Sequence, residues 1–402
     1  MACRCGYREN LLQKRDAYRA KTAVYLDYNA TTPVDPAVIG AFERSCRDQW
    51  ANPASLHSAG ISAWRAMDRD LDTLASYFAW PREGIQFCSS GSEGLDILVS
   101  TLLKEDPEIT LISSRAEHPA LYRPLRIMQM KSGTGAGGEA PAAVIVGVDA
   151  RGGIRHDELE EVLKKRGRCV LLYSPVNHET GAVQEAEFLY GLVKRYGGRV
   201  FLDAVQAAPR LAPSGWAGFC DGFVVSSHKL YAPKGLGAVF FKPRNGGFRL
   251  QRAGSRTAGA GEGTPAAPLM AALAEAVRRL DPAEEGVALK ALTGDFLHLM
   301  ARAGLECRVF TPGDSAPGVL CFGVKGITDM NGFFSFLYAR DICLSRFSAC
   351  TARIDGASRV LLGMGFSSAE AATSLRLSLG RYSRRKDLLE FIGAAGDYLR
   401  RR

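Results

Sequence analysis

Two apolar runs near the middle of the chain, each ending in a reactive side chain, constrain this sequence most. Val200-Phe201-Leu202-Asp203-Ala204-Val205-Gln206 reads as a buried β-strand that ends in a carboxylate. Gly222-Phe223-Val224-Val225-Ser226-Ser227-His228-Lys229 reads as a second strand, ending in an amine. The next segment, Tyr231-Ala232-Pro233-Lys234-Gly235, is too rich in Pro and Gly to be helix. Open α/β sheets bind ligands outside the carboxyl ends of their strands, so Asp203 and Lys229 are expected at one edge. A lysine amine can form a Schiff base, and an aspartate can keep a pyridine nitrogen protonated so that the ring draws electrons. That pairing fits pyridoxal phosphate. Taken singly, a strand-end Asp is a turn residue and a Lys before a Gly-Pro loop is solvated. Ser226 and His228 as phosphate donors, with Gln206 as a hydrogen-bonding partner of the ring, outweigh those readings.

Asp-Ala-Val-Gln followed by Ser-Ser-His-Lys-Leu-Tyr-Ala-Pro-Lys-Gly resembles the cofactor core of cysteine desulfurases, within the class V aminotransferase family. The resemblance spans roughly residues 24–385 through about eight motifs in collinear order. It implies a fold-type I pyridoxal-phosphate transferase of α/β class, with a mainly parallel seven-stranded sheet flanked by helices and a smaller α+β domain. The expected division is a large domain over 36–275 and a small one formed by 1–35 and 276–402.

Several segments can be read along the chain. Val24 to Asn29 is β-prone, and Thr31-Thr32-Pro33 leads to a helix start at Asp35-Pro36. Relatives typically carry Ser where Asn29 stands, and Asn52-Pro53-Ala54-Ser55 with His57 and Gly60 is similar to the family's next motif. Phe87 to Gly94 marks a strand-to-helix junction. Free backbone N–H groups at such a helix start can hold a phosphate. The resemblance assigns that role to Gly91 and Ser92, where relatives have Ala-Thr. It also makes His118 the imidazole that stacks on the pyridine ring and shuttles protons, a task that a near-neutral pKa suits. Residues 131–143 read as a low-complexity loop.

Val170 to Ser174 is a further buried strand, followed by Val176-Asn177-His178-Glu179. Here the family has Val-Asn-Asn-Glu, so His178 takes a position that contacts cofactor or substrate, and Asn177 is assigned to substrate. Residues 185–196 form an amphipathic helix stopped by Gly197-Gly198. Gly263-Thr264 resembles the Gly-Thr that reaches the phosphate from a partner subunit, so a homodimer is expected with Thr264 contributed in trans. Gly261-Glu262 replaces the Arg-Ser common in relatives. Leu269, Met270, Leu273, Ala276, Val277 and Leu280 have the spacing of a core helix. Further on, Val319–Val324 reads as a strand, Met330–Tyr338 as a helix, Ile342–Ser345 and 374–381 as strands, and 386–400 as a closing helix.

Ser348-Ala349-Cys350-Thr351 matches the family's catalytic loop, and the spacing to Leu361-Leu362-Gly363 resembles the long-loop subgroup associated with iron–sulfur assembly. Cys350 is therefore the expected sulfur-accepting nucleophile. Arg346-Phe347 stands where relatives have Ser-Gly. Arg376 resembles the arginine that grips a substrate carboxylate through two hydrogen bonds.

Formal charge bears on partners. The net +9 resides mostly in residues 1–22 and 381–402, at +4 each, so the body of the chain lacks the charge of a nucleic-acid groove. No apolar run is long enough to span a bilayer, and the polar first twenty residues hold no secretory core, so a cytoplasmic location is expected. Ten cysteines lack the paired spacing of a zinc site, and no metal is expected. The activity implied is conversion of L-cysteine to L-alanine, with sulfur left as a persulfide on Cys350 for an acceptor such as an iron–sulfur scaffold protein. Selenocysteine lysis or transamination is the alternative within enzymes. A weakened scaffold member is the alternative outside them.

Overall fold

The computed structural model describes residues 23–132, 143–242, 264–347 and 356–401. Its twelve strands, in chain order, are β1 (Val24–Tyr25), β2 (Ile85–Cys88), β3 (Thr110–Ser114), β4 (Ala143–Val146), β5 (Cys169–Tyr173) and β6 (Arg199–Asp203), then β7 (Gly222–Ser226), β8 (Gly237–Phe241), β9 (Cys307–Val309), β10 (Val319–Val324), β11 (Ile342–Cys343) and β12 (Leu375–Ser378).

Seven of them form one sheet in the order β2-β8-β7-β6-β5-β3-β4. Neighbours from β4 through β7 are parallel, whereas β8 is antiparallel to both β7 and β2. Six strands therefore run one way and β8 alone runs back. β3, β5, β7 and β8 are buried along their whole length, which is why they read as unbroken apolar runs. Phe223 and Phe240, cross-strand partners on β7 and β8, stack at 4.3 Å and pack against Phe78 and the two indoles Trp80 and Trp216.

The helix Gly91–Glu105 lies on this sheet at close range. A Cβ on Gly94 would meet Val224 Cγ1 at 2.7 Å, so only glycine allows the approach. The helix Pro36–Asp48 starts where the sequence places it. Asp35 Oδ1 accepts from the Ala37 N–H at 2.9 Å, and Pro36 occupies the first turn.

A second core is built on the antiparallel sheet β12-β10-β9 and the parallel pair β1-β11, under the helices Pro282–Arg302, Met330–Tyr338 and Arg385–Arg400. The expected strand over 374–381 is shorter, covering Leu375–Ser378, and that over 342–345 covers Ile342–Cys343. Arg381 joins the two cores. It is 9% exposed and donates to Asp35 Oδ2 at 2.9 Å, to Glu285 Oε1 at 2.6 Å and to the Arg279 carbonyl. No described helix is long and apolar enough to cross a membrane.

Candidate active site

The carboxyl ends of β3, β5, β6 and β7 and the loop after β2 surround one cavity of about 180 Å³, closed from the other side by β12. Its lining includes His118, His178, Asp203, Gln206, Ser226, His228, Lys229 and Arg376, together with Gly91 and Ser92. The residues expected to act together thus converge from segments as far apart as 91 and 376.

Lys229 follows β7 in a short 3₁₀ turn. Its Nζ donates to the backbone carbonyls of Asn29 and Ala30, the latter at 2.7 Å. Two residues on, Tyr231 adopts φ of 63°, a strained conformation for a bulky residue. It is fixed on three sides. Its N–H donates to Thr32 Oγ1, its carbonyl accepts from Asp35, and its hydroxyl accepts from the Arg381 N–H at 2.8 Å. The turn that presents the amine is therefore clamped.

Asp203 closes β6 and accepts from the Val205 N–H at 3.2 Å. Burial raises its carboxyl to about 6, against the pull of Lys229. At the end of the neighbouring β7, Ser226 Oγ is buried without a hydrogen-bond partner. Beside it, Gly91 opens the helix Gly91–Glu105. A Cβ there would lie 2.9 Å from Val205 Cγ2, which keeps this helix start tight against the strand ends. Ser90 caps the helix by accepting from the Glu93 N–H at 3.1 Å. Gly91 and Ser92, at the helix start where backbone N–H groups lack intrahelical partners, line the cavity.

His118 follows β3. Burial, with the neighbouring His178 and Lys229, pushes its imidazole down to about 2. The expected near-neutral titration therefore gives way to a ring that stays neutral, because desolvation disfavours the cation. Its Nδ1 accepts from the Ala120 N–H at 3.2 Å, which leaves the proton on Nε2. The preceding Glu117 holds this turn to the end of β5. It accepts from Ser114 Oγ at 2.6 Å and from the Ser174 N–H at 2.8 Å. Burial raises its own carboxyl to about 7.

His178 lies edge-on to His118, with ring centroids 5.1 Å apart. Burial lowers its pKa more than Glu179 raises it, so it is neutral too. Its Nε2 stands 3.4 Å from Glu179 Oε1, yet neither ring nitrogen is aligned in a hydrogen bond. Burial alone would raise Glu179, but His178, Ser358 and Arg376 outweigh it and keep the carboxylate ionised. The contact is a polar one between a neutral ring and an anion. Asn177 stands behind this wall. Its amide donates to the Ala116 carbonyl at 2.8 Å and accepts from the Glu179 and Thr180 N–H groups. Its side chain builds the turn that presents His178, and it is absent from the cavity lining.

Arg376, on β12, is 2% exposed. Its Nη2 donates to Asp27 Oδ1 at 2.7 Å and its Nη1 to the His178 carbonyl at 3.0 Å, while Nε is buried without a partner. Thr264 is exposed and not in this cavity's lining. Cys350 lies outside the described residues, as do Cys3, Cys5, Gly261, Glu262 and Gly263.

Among the lining residues without a role expected from sequence, Asn29 makes the most side-chain and backbone contacts to the others. Asn29 donates to the His178 carbonyl at 3.1 Å and accepts from the buried Arg210, while its backbone carbonyl receives Gln206 Nε2 and Lys229 Nζ. The signal was the Asn at a position where relatives carry Ser. Nothing in the sequence marks Arg210.

The Aminotransferase class-V family model matches residues 24–391. The chain belongs to this family. A cysteine desulfurase of Nostoc sp. (strain PCC 7120 / SAG 25.82 / UTEX 2576) is 30% identical over 370 residues, covering 90% of this chain and 89% of that protein. The mitochondrial cysteine desulfurase of Saccharomyces cerevisiae is 27% identical, over 93% of this chain and 74% of its own length. Among solved structures, a NifS-like protein superposes with a TM-score of 0.82 at 24% identity, over 95% of this chain and all of that one. That likeness bears on the fold.

Proposed function

We propose that this chain is a pyridoxal-phosphate-dependent cysteine desulfurase, converting L-cysteine to L-alanine and passing the sulfur to Cys350. The observation that carries the reading is the meeting of Asp203, Lys229, His118 and Arg376 on one cavity beside the helix start at Gly91. The 30% identical cysteine desulfurase, aligned over nine-tenths of the chain, supports the choice of reaction within the family.

The residues present fit the cofactor. The unpartnered Ser226 hydroxyl, His228 and the backbone N–H groups of Gly91 and Ser92 offer donors for a phosphate. Asp203 suits a pyridinium nitrogen, Gln206 a ring oxygen, and Lys229 the aldehyde carbon. His118 would cover the ring face, and His178 lines the wall beside it. When bound, this group draws electrons from the substrate's α-carbon and so labilises its neighbouring bonds.

The chain supplies the rest. Arg376 orients the substrate carboxylate, with its unpartnered Nε as the donor. Lys229, once released from its resting contacts, moves a proton at Nζ, and the neutral His118 donates a hydrogen bond from Nε2. The Cys350 thiolate attacks the sulfur of the substrate. The S–S bond forms as the Cβ–S bond breaks, the electron pair stays with carbon, and that carbon takes up a proton to give alanine. We place the protein in the cytoplasm as a homodimer in which Thr264 of each subunit reaches its partner's phosphate site. The large body is assigned to 36–275 and the small to 1–35 with 276–402, and the sulfur acceptor is a protein such as an iron–sulfur scaffold.

The test is product analysis. Purified protein loaded with pyridoxal phosphate and given L-cysteine should release alanine and sulfide in equal amounts under a thiol reductant. Selenocysteine turnover without cysteine turnover, or neither, would overturn the reading.

A further inference from the structure

A second cavity, of about 380 Å³, lies on the outer side of the turn that carries His118. Three of its eight lining residues are arginines, Arg115, Arg126 and Arg359, and no carboxylate is among the eight. It shares no residue with the first cavity.

The cationic groups are set in place by different contacts. Arg359 opens the short helix Arg359–Gly363 with its guanidinium 3.7 Å above the Tyr122 ring, and it donates to the carbonyls of Arg115 and, at 2.6 Å, Glu117. Arg126 projects from the helix Pro119–Ser132 and donates to Gln129 Oε1 at 2.6 Å, which leaves the Gln129 amide N–H₂ as a further donor. Arg115 directly follows β3 and is exposed. Ile145 and Leu362 give the cavity an apolar side. Like charges facing one cavity repel, and an anion that enters relieves the repulsion. Guanidinium groups also match the planar fork of carboxylate and phosphate oxygens better than an ammonium does.

We propose that this cavity is a binding site for a small polyvalent oxyanion, a molecule carrying at least two carboxylate or phosphate charges. The proposal stands independently of the desulfurase reading, because it uses none of the residues assigned there. The site adjoins the reaction cavity through Arg359, whose guanidinium holds the Glu117 carbonyl one residue before His118.

Isothermal titration of the cofactor-loaded protein at low salt, with citrate and separately with pyrophosphate, reads the site. One saturable event per chain is expected, weakening as salt is raised. The double variant Arg115→Ala/Arg126→Ala should bind about tenfold more weakly or worse, since each charge-assisted contact is worth that much. Binding of citrate alone identifies a carboxylate ligand, pyrophosphate alone a phosphate ligand, and both an oxyanion chosen by charge. Arginine modification by phenylglyoxal, mapped by mass spectrometry on the wild type, gives a readout that needs no variant. The binding anion should protect Arg115 and Arg126. Absence of binding by both anions, unchanged affinity in the double variant, or no protection would each overturn the proposal.

Discussion

Replacing Arg376 by lysine separates recognition of a substrate carboxylate from the other tasks of the cavity. Arginine here spends Nη2 on Asp27 and Nη1 on the His178 carbonyl, and keeps Nε as a buried donor. A lysine retains a cation for Asp27, so no carboxylate is left buried without a partner, but its single nitrogen cannot also aim a donor into the cavity. One hydrogen bond to a charged group is worth about 1.5–3 kcal/mol, or about 10- to 150-fold in a rate or binding ratio. The assay compares kcat/KM for L-cysteine with that for cysteamine, which has the same thiol and amine but no carboxylate. The wild type should favour cysteine, and Arg376→Lys should erode that preference by the stated factor while cysteamine turnover changes little. An unchanged preference would refute the carboxylate role. Equal losses on both substrates would mean that Arg376 acts only by holding Asp27 and His178 in place.

Borohydride reduction of the loaded wild type should fix the pyridoxyl group on Lys229, and Lys229→Ala should lose that label while keeping its far-ultraviolet spectrum. A label on Lys234 would move the assignment. Arg381→Met strands the buried Glu285 and leaves Asp35 with Arg279 as its nearest cation, and should cost about 3–5 kcal/mol in denaturant unfolding. Both carboxyls rise in pKa when their cation is removed, so the deficit should be largest at neutral and alkaline pH and shrink as pH falls through the carboxylate range. A deficit that grows on acidification would contradict this. Mixing Lys229→Ala with Thr264→Ala subunits should restore activity that neither variant has alone, because one site of the mixed dimer is then intact. No recovery after verified subunit exchange would count against Thr264 acting in trans.

The sheet was legible because β6 and β7 are buried by helices and neighbouring strands, and burial on both faces turns a strand into an unbroken apolar run. Their chemistry was legible because Asp203 and Ser226 close those runs and Lys229 follows in the next turn. Other features left no such trace. β9 exposes two of its three residues and pairs only with β10, so Cys307-Arg308-Val309 carries no period to read. The bond from Arg210 to Asn29 joins residues 181 apart, and a buried arginine looks like a surface one in sequence. The neutrality of His118 depends on burial and on His178, Lys229, Arg376 and Arg359 brought near it from distant parts of the chain, which a residue type cannot announce. Asn177 is the reverse case. Its motif is plain in sequence, but only the three-dimensional arrangement shows that its polar atoms face inward.

The most direct measurement is mass spectrometry of the sulfur itself. The loaded enzyme is given L-cysteine without reductant, alkylated and mapped by peptide, with alanine counted in the same sample. A Cys350 persulfide equal in amount to the first alanine released is expected, with Cys343 unmodified. Cys350→Ser should still bind cysteine, because Lys229, Asp203 and Arg376 are untouched, yet form neither alanine nor persulfide. A hydroxyl is far less ionised near neutral pH than a thiol of pKa about 8.5. Alanine formed at wild-type rate by Cys350→Ser, or a persulfide found on Cys3, Cys5 or Cys343, would contradict the account.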